Sequence, residues 1–187
     1  MSIQDSNKVL QYRVKRNIRV IKEANGNKIV VVNDIKFKGR QNIEWDEVES
    51  YLKQYVGEFV RIAENNEIVY IGSDLPDEYT GSNYTAKLKG ALAKAKANAA
   101  QGIPELIEIA ANKRFKDNLA KKHENNARFG WYRYDSRFAL PIFDENGEVI
   151  RYNVFHAELV IRHSSDGKLY LYDMINIKKE TGTPLGL

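Results

Sequence analysis

The sequence predicts an α+β protein, on three observations. Residues 131 to 178 alternate with strand period through three consecutive runs; residues 85 to 123 carry strong helix propensity; and the first 80 residues read as a β-α-β part. At 187 residues, with 43% hydrophobic and 29% charged content, the chain can bury one substantial core, or one core plus a small appended unit. The division expected is an N-terminal β-α-β part, residues 1–80, and a helical-plus-meander part, residues 81–187, the two sharing one core or not.

The first strand is expected in YRVKRNIRVIK, where Tyr12, Val14, Arg16, Ile18 and Val20 alternate with Arg13, Lys15, Asn17, Arg19 and Ile21, leaving a basic outer side. Asn25-Gly26 turns it toward KIVVV, a partner strand. Asp46 is a suitable N-cap for a helix whose apolar stripe is Val48, Tyr51, Leu52, Tyr55 and Val56. EIVYI at 67 to 71 is a short strand, and GSDLPDEYTGSNYT is read as a loop because it is dense in turn formers. Alanine and lysine dominate 85 to 100, predicting a helix with only Leu88 and Leu92 as large apolar residues, which packs through its alanines or stands off as an arm. Gly102 ends it, Pro104 opens the next helix, and ELIEIAANKRFKDNLAKKH is expected to continue that helix to the polar run at 124 to 126.

The meander follows. A two-residue turn at Asn146-Gly147 sets Phe138 opposite Phe155, Ser136 opposite Ala157, Tyr134 opposite Leu159 and Tyr132 opposite Ile161. A three-residue loop, Ser165-Asp166-Gly167, sets Ile161 opposite Leu171, Ala157 opposite Ile175 and Phe155 opposite Ile177. Those residues form the core side. The other face then carries Trp131, Arg133, Asp135 and Arg137; His156, Glu158, Val160 and Arg162; and Tyr170, Tyr172, Met174 and Asn176.

Composition narrows the function. The absence of cysteine removes disulfides, thiolate metal sites and a cysteine nucleophile. Histidines only at 123, 156 and 163 speak against a histidine metal cage, and neither a phosphate-binding glycine loop, a dinucleotide fingerprint nor a zinc motif occurs, so no metal and no cofactor are expected. Asp74, Asp77 and Glu78 lack the spacing of a calcium loop and read as turn and capping residues. No stretch has the length and apolarity to cross a bilayer, and the N-terminus lacks the apolar core of a secretory signal, which gives the cytoplasm as the expected location and no membrane partner. The net charge of +4 is uneven: residues 8 to 22 and 87 to 128 are basic, while 44 to 49 and 74 to 78 are acidic. Lysines 94, 96, 113 and 116 suit nucleic-acid contacts, although a solvated helix face accounts for such a run equally well.

A histidine, a glutamate and arginines on one rigid face match what ribonucleolysis without a metal requires: a base for the 2′-hydroxyl, an acid for the leaving oxygen, and guanidinium for the phosphate charge. The catalytic candidates are His156, Glu158, Arg137 and His123, with Glu158 read as the base. Arg133, Arg162, Trp131, Tyr170, Tyr172 and Thr183 are the candidate substrate contacts, the aromatic ones by stacking bases. His123 at a helix end equally serves the helix dipole, His163 falls at a hairpin tip, and a sheet face laced by cross-strand ion pairs is the plain alternative for the whole set.

The runs AKANAAQGIPELIEIAANKRF, KKHENNARFGWYRYDSRFALPIF, YNVFHAELVIRH and LYLYDMINIKKETGTPL resemble a block carried by phage and mobile-element proteins of gut-type Firmicutes, found at the C-terminus of large polyvalent or MuF-type head-morphogenesis proteins. That block resembles the barnase, EndoU, colicin and RelE group of small ribonucleases. The resemblance spans roughly residues 35 to 185 and implies RNA cleavage without a metal in a toxin or counter-defence role. It places the family's histidine on His123 or His156 and its basic residues on Arg133 or Arg137; the N-terminal β-α-β part is longer here than in a minimal member. RNA is the expected partner, with a host or immunity protein as a further one. The rival expectation is a non-catalytic phage accessory protein that binds nucleic acid or inhibits a host protein.

Overall fold

The computed structural model of the protein describes residues 16–39, 42–116 and 129–181. The chain runs β1 (Ile18–Lys22), β2 (Lys28–Val32), α1 (Trp45–Leu52), β3 (Phe59–Arg61), β4 (Ile68–Tyr70), α2 (Leu75–Gly81), α3 (Asn83–Ala86), α4 (Gly90–Ala99), α5 (Ile103–Glu108), β5 (Ala111–Lys116), β6 (Trp131–Phe143), β7 (Val149–His163) and β8 (Leu169–Lys179). The fold is α+β. Its mixed sheet has the order β1-β2-β6-β7-β8-β4-β3, with β5 also paired to β6. β2 joins β6, and β4 joins β8, in parallel; the remaining pairs are antiparallel.

One face of the sheet is buried because alternate residues on each central strand are apolar. Tyr134, Phe138 and Leu140 of β6, Phe155, Ala157, Leu159 and Ile161 of β7, and Leu171, Met174 and Ile177 of β8 join Val30, Val32, Leu52, Leu75, Ile103 and Leu106 in a single core. That core draws on residues both before and after position 80. Phe138 and Phe155 stack with ring centroids 5.2 Å apart. Ser136, buried on this face, donates to the carbonyl of Leu106 at 2.9 Å, so the α5 end is tied to β6.

The β6–β7 register has Phe138 opposite Phe155, Ser136 opposite Ala157, Tyr134 opposite Leu159 and Tyr132 opposite Ile161, as the alternation requires. The turn differs from the expected one. Asn146 is not left-handed; Gly147 is, with φ +80°, and Asp144 pairs with Glu148 around a three-residue loop. A register shift between Ile142 and Phe143 then absorbs one residue and restores the parity.

β8 departs from expectation. Ile161 faces Leu171, but two irregularities slide the strand: Glu158 faces Ile175, His156 faces Lys178, and Phe155 faces Lys179. Met174 is therefore fully buried and Ile175 half-buried, the reverse of the alternation read from the sequence.

Further expectations are corrected. The 72–85 loop contains α2 and α3: Pro76 sits in the first turn of α2, and the Ser82 hydroxyl accepts from the Thr85 amide to cap α3. Asp46 lies within the first turn of α1, with Glu44 at the flanking position. The helix expected through 105 to 123 stops at Glu108, and Ala111–Lys116 leaves it to pair with β6; the open edge of β6 offers hydrogen bonds that outweigh local helix propensity. Helix α4 is no arm. Ala93, Ala95, Ala97 and Ala99 are buried, and so is Lys96, which is therefore not a nucleic-acid contact.

At the first strand, Arg16 turns inward to an ion pair with Glu105, on the side the alternation gives it, but Val20 on that side is exposed and Ile21 on the other packs against Ile29 and Val31, so the apolar side is not the one expected throughout. Residues 12 to 15 lie outside the described residues.

Candidate functional site

The face of the sheet opposite the core gathers the polar side chains in rows that cross the strands. One row is Arg137, His156 and Lys178 from β6, β7 and β8; the next is Asp135, Glu158 and Ile175. Arg114 of β5, the partner of Arg133, reaches over both acids, its Nη2 lying 2.9 Å from Asp135 and 2.7 Å from Glu158. His156 Nε2 is 3.3 Å from Asp135 Oδ1. Asn112 donates to the other Asp135 oxygen at 3.0 Å, and Asn176 donates to Glu158 Oε2.

These contacts set the charge states. Burial alone would raise the pKa of Asp135, but hydrogen bonds from Asn112 and Arg114 and the charges of Arg114 and His156 outweigh it and hold the acid below its usual range. Glu158 behaves likewise: partial burial works upward, and the Asn176 and Arg114 hydrogen bonds with the Arg114 and Arg133 charges bring it down. A glutamate so held is a weak proton acceptor, a poor fit to the base expected of Glu158.

The arginines divide. Arg137 donates to both Glu180 oxygens at 2.7 and 2.8 Å and also to Glu23, and these hydrogen bonds keep its guanidinium charged. Arg162 pairs with Asp74, donates to Ser164 at 2.9 Å and lies 5.0 Å from the Tyr170 ring centroid. Among the described residues Arg133 has no such ion pair: its buried Nε lacks a hydrogen-bond partner, and burial, joined by the Arg114 charge, lowers its pKa against the upward pull of Glu158 and Asp173. It remains a cation at neutral pH.

Trp131 meets Tyr172 edge-on with centroids 4.9 Å apart, and Tyr170 donates to Asp166 at 2.6 Å. His163 packs beside Phe129 and Tyr132 at the end of β7, away from the acids. His123 and Thr183 lie outside the described residues. Thus His156, Glu158, Arg133 and Arg137 share one face with Asp135, whereas Arg162, Trp131, Tyr170 and Tyr172 occupy its far end. The sequence reading missed Arg114 and Asn112 as site residues because it placed them in a helix; the alternation of Asn112, Arg114 and Lys116 against Lys113 and Phe115 was the available signal.

Among the described residues no helix is long and apolar enough to cross a membrane, and no three His, Asp or Glu side chains are grouped to hold a metal ion. No family model, curated protein or solved structure matches the chain.

Proposed function

We propose that this face is a phosphodiester site that cleaves RNA by acid-base chemistry, with His156 as the base. The observation that supports it is the imidazole whose Nε2 lies 3.3 Å from Asp135, between the register neighbours Arg137 and Lys178, on the face that also presents Arg133 with its Nε lacking a hydrogen-bond partner. In the tautomer that keeps the ring proton on Nε2, beside Asp135, Nδ1 is the acceptor. It takes the 2′-hydroxyl proton as that oxygen bonds to phosphorus; the bond from phosphorus to the 5′-oxygen breaks, leaving a 2′,3′-cyclic phosphate. Lys178 supplies the leaving oxygen's proton, and Arg133 stabilises the phosphate charge that builds up in between. Glu158 positions Arg114 and so keeps Asp135 in place. On the resemblance of the 35–185 block, the setting is a phage or mobile-element toxin or counter-defence protein.

The purified protein is expected to cut RNA in EDTA and leave cyclic phosphate ends, and His156→Ala to lower the rate by about 10²–10⁴-fold. Full activity in that variant overturns the assignment. In a second reading the face binds nucleic acid without cleavage: the ion pairs that already occupy Arg114, Arg137 and Arg162 leave these cations less able to stabilise a transition state. Salt-sensitive RNA binding by a wild-type protein that cuts nothing would select it.

A further inference from the structure

We infer that an aromatic strip at the far end of this face is a stacking platform for unpaired bases, which makes single-stranded RNA the substrate class; this rests on the outer face being an RNA site. The strip follows the sheet register. Phe59 of β3 faces Tyr70 of β4, Tyr70 faces Tyr170 of β8, Tyr170 faces Arg162 of β7, and Arg162 faces Trp131 of β6, whose partner on β5 is Lys116. Six strands thus contribute to one row across the sheet. Its ring centroids are 5.7 Å apart from Phe59 to Tyr70 and 5.9 Å from Tyr70 to Tyr170, with Tyr172 against Trp131 at the other end.

The row belongs to the outer face because its neighbours Val60, Val69, Leu169 and Leu171 face the core. Phe59 is 42% exposed at the sheet edge, and Tyr70, Tyr170 and Trp131 are half-buried, so each ring is anchored by its neighbour yet reachable. Lys168 Nζ lies over the Tyr70 ring, 4.9 Å from its centroid, and Arg162 over the Tyr170 ring at 5.0 Å, so a cation covers one face of each ring and a base would stack on the other. Asp74 and Asp166 offset part of that charge. The strip therefore acts through ring faces more than through phosphate contacts, and every base has a face to offer. From the Trp131 row to the Arg137 row is six residues along β6, about 20 Å by strand rise and at right angles to the strip, so a chain that leaves the strip at Trp131 and turns along β6 reaches His156. A duplex, whose bases are already stacked on one another, has no faces free for these rings.

The test is fluorescence anisotropy with a labelled 12-nucleotide 2′-O-methyl uridine strand, which cannot be cleaved, against the same strand in duplex, at 50 and 200 mM salt. The single strand is expected to bind at least tenfold tighter than the duplex. Phe59→Leu and Tyr70→Leu, which keep apolar volume at half-exposed positions, should each raise Kd about tenfold by the same factor at both salts, and Tyr70→Phe should bind as wild type. Thermal melting of each variant confirms that it is folded. Unchanged Kd in the Phe59→Leu/Tyr70→Leu double variant, equal binding of duplex, or no binding by the wild type overturns the platform. Cleavage of the dinucleotide UpA, too short to reach the strip, reports on His156 alone: its absence sinks the nuclease reading without touching the anisotropy result, and its survival in the strip variants isolates the platform.

Discussion

Lys96 is the least expected residue in the core, and its removal from charge balance offers the sharpest stability prediction. Its ammonium is fully buried, 2.6 Å from Asp173 Oδ1 and 2.6 Å from the Thr85 hydroxyl, with the Tyr79 and Tyr84 rings 4.6 and 5.1 Å away. Burial pushes the lysine down and the acid up, and each restrains the other through their ion pair. Asp173→Asn keeps an acceptor for the Met174 amide, which Asp173 accepts at 2.7 Å, but leaves the ammonium without a counter-charge. Breaking one side of such a pair costs about 3–5 kcal/mol. At roughly 2–4 °C per kcal/mol for a chain of this size, the melting temperature should fall by about 6–20 °C. Lys96→Met/Asp173→Asn removes both charges and should recover most of the loss. The pH dependence has a definite sign. A lysine whose folded pKa lies below the ordinary 10.5 is more protonated in the unfolded chain, so the stability of Asp173→Asn should rise as pH increases from neutral toward that value. Urea denaturation followed by circular dichroism at pH 7 and 10 measures both effects. A cost under about 1 kcal/mol at pH 7, or one that does not shrink at pH 10, would refute the reasoning.

The outer-face acids make a second prediction. Asp135 and Glu158 have folded pKa values below their ordinary 3.8 and 4.5, so their stabilisation is present above those values and is lost as pH falls through the lower, folded ones. In Arg114→Ala both should titrate at higher pH by carbon-detected NMR; the stability loss at pH 7 should stay under about 1 kcal/mol, because Arg114 is partly exposed. Unmoved titrations would mean that Arg114 does not hold the pair. Asn176 occupies the left-handed region at φ +52°, so Asn176→Val should cost about 1–3 kcal/mol in chemical denaturation. Asn176→Gly should fold more readily than the valine variant while still raising the Glu158 pKa, since both lose the amide that donates to Glu158. Equal stability of the two variants would argue against backbone strain there.

The β6–β7 pairing was legible because a strict period of two allows only one way to hide Tyr134, Phe138, Phe155 and Leu159 together. Even a misread turn did no harm, since the shift at Ile142 corrected the count. Other parts were hidden for identifiable reasons. The stretch from Ala111 to Lys116 has helix-compatible residues, and only the presence of β6, further along the chain, makes a strand the better choice. Lys96 reads as one of a solvated lysine run because its partner acid is 77 residues away. The Glu180 and Glu23 contacts that occupy Arg137 come from beyond the meander, so the sequence offered that arginine as free when it is matched.

The slide of β8 against β7 connects the core to the candidate site. Unbroken alternation from the Ile161–Leu171 pair would set Met174 beside Glu158 and Asn176 beside His156. Two extra residues enter β8 instead, one around Tyr172 and Asp173 and one around the left-handed Asn176. The first lets consecutive residues Asp173 and Met174 both turn inward, so the strand satisfies Lys96 and fills the core opposite Leu159. The second brings Lys178 into register with His156 while Asn176 donates to Glu158. A regular β8 would supply neither the inward acid nor the outward lysine at these places. The buried ion pair and the cation beside the imidazole are thus consequences of the same two departures from a period of two, and bulges of this kind commonly re-aim side chains next to functional sites.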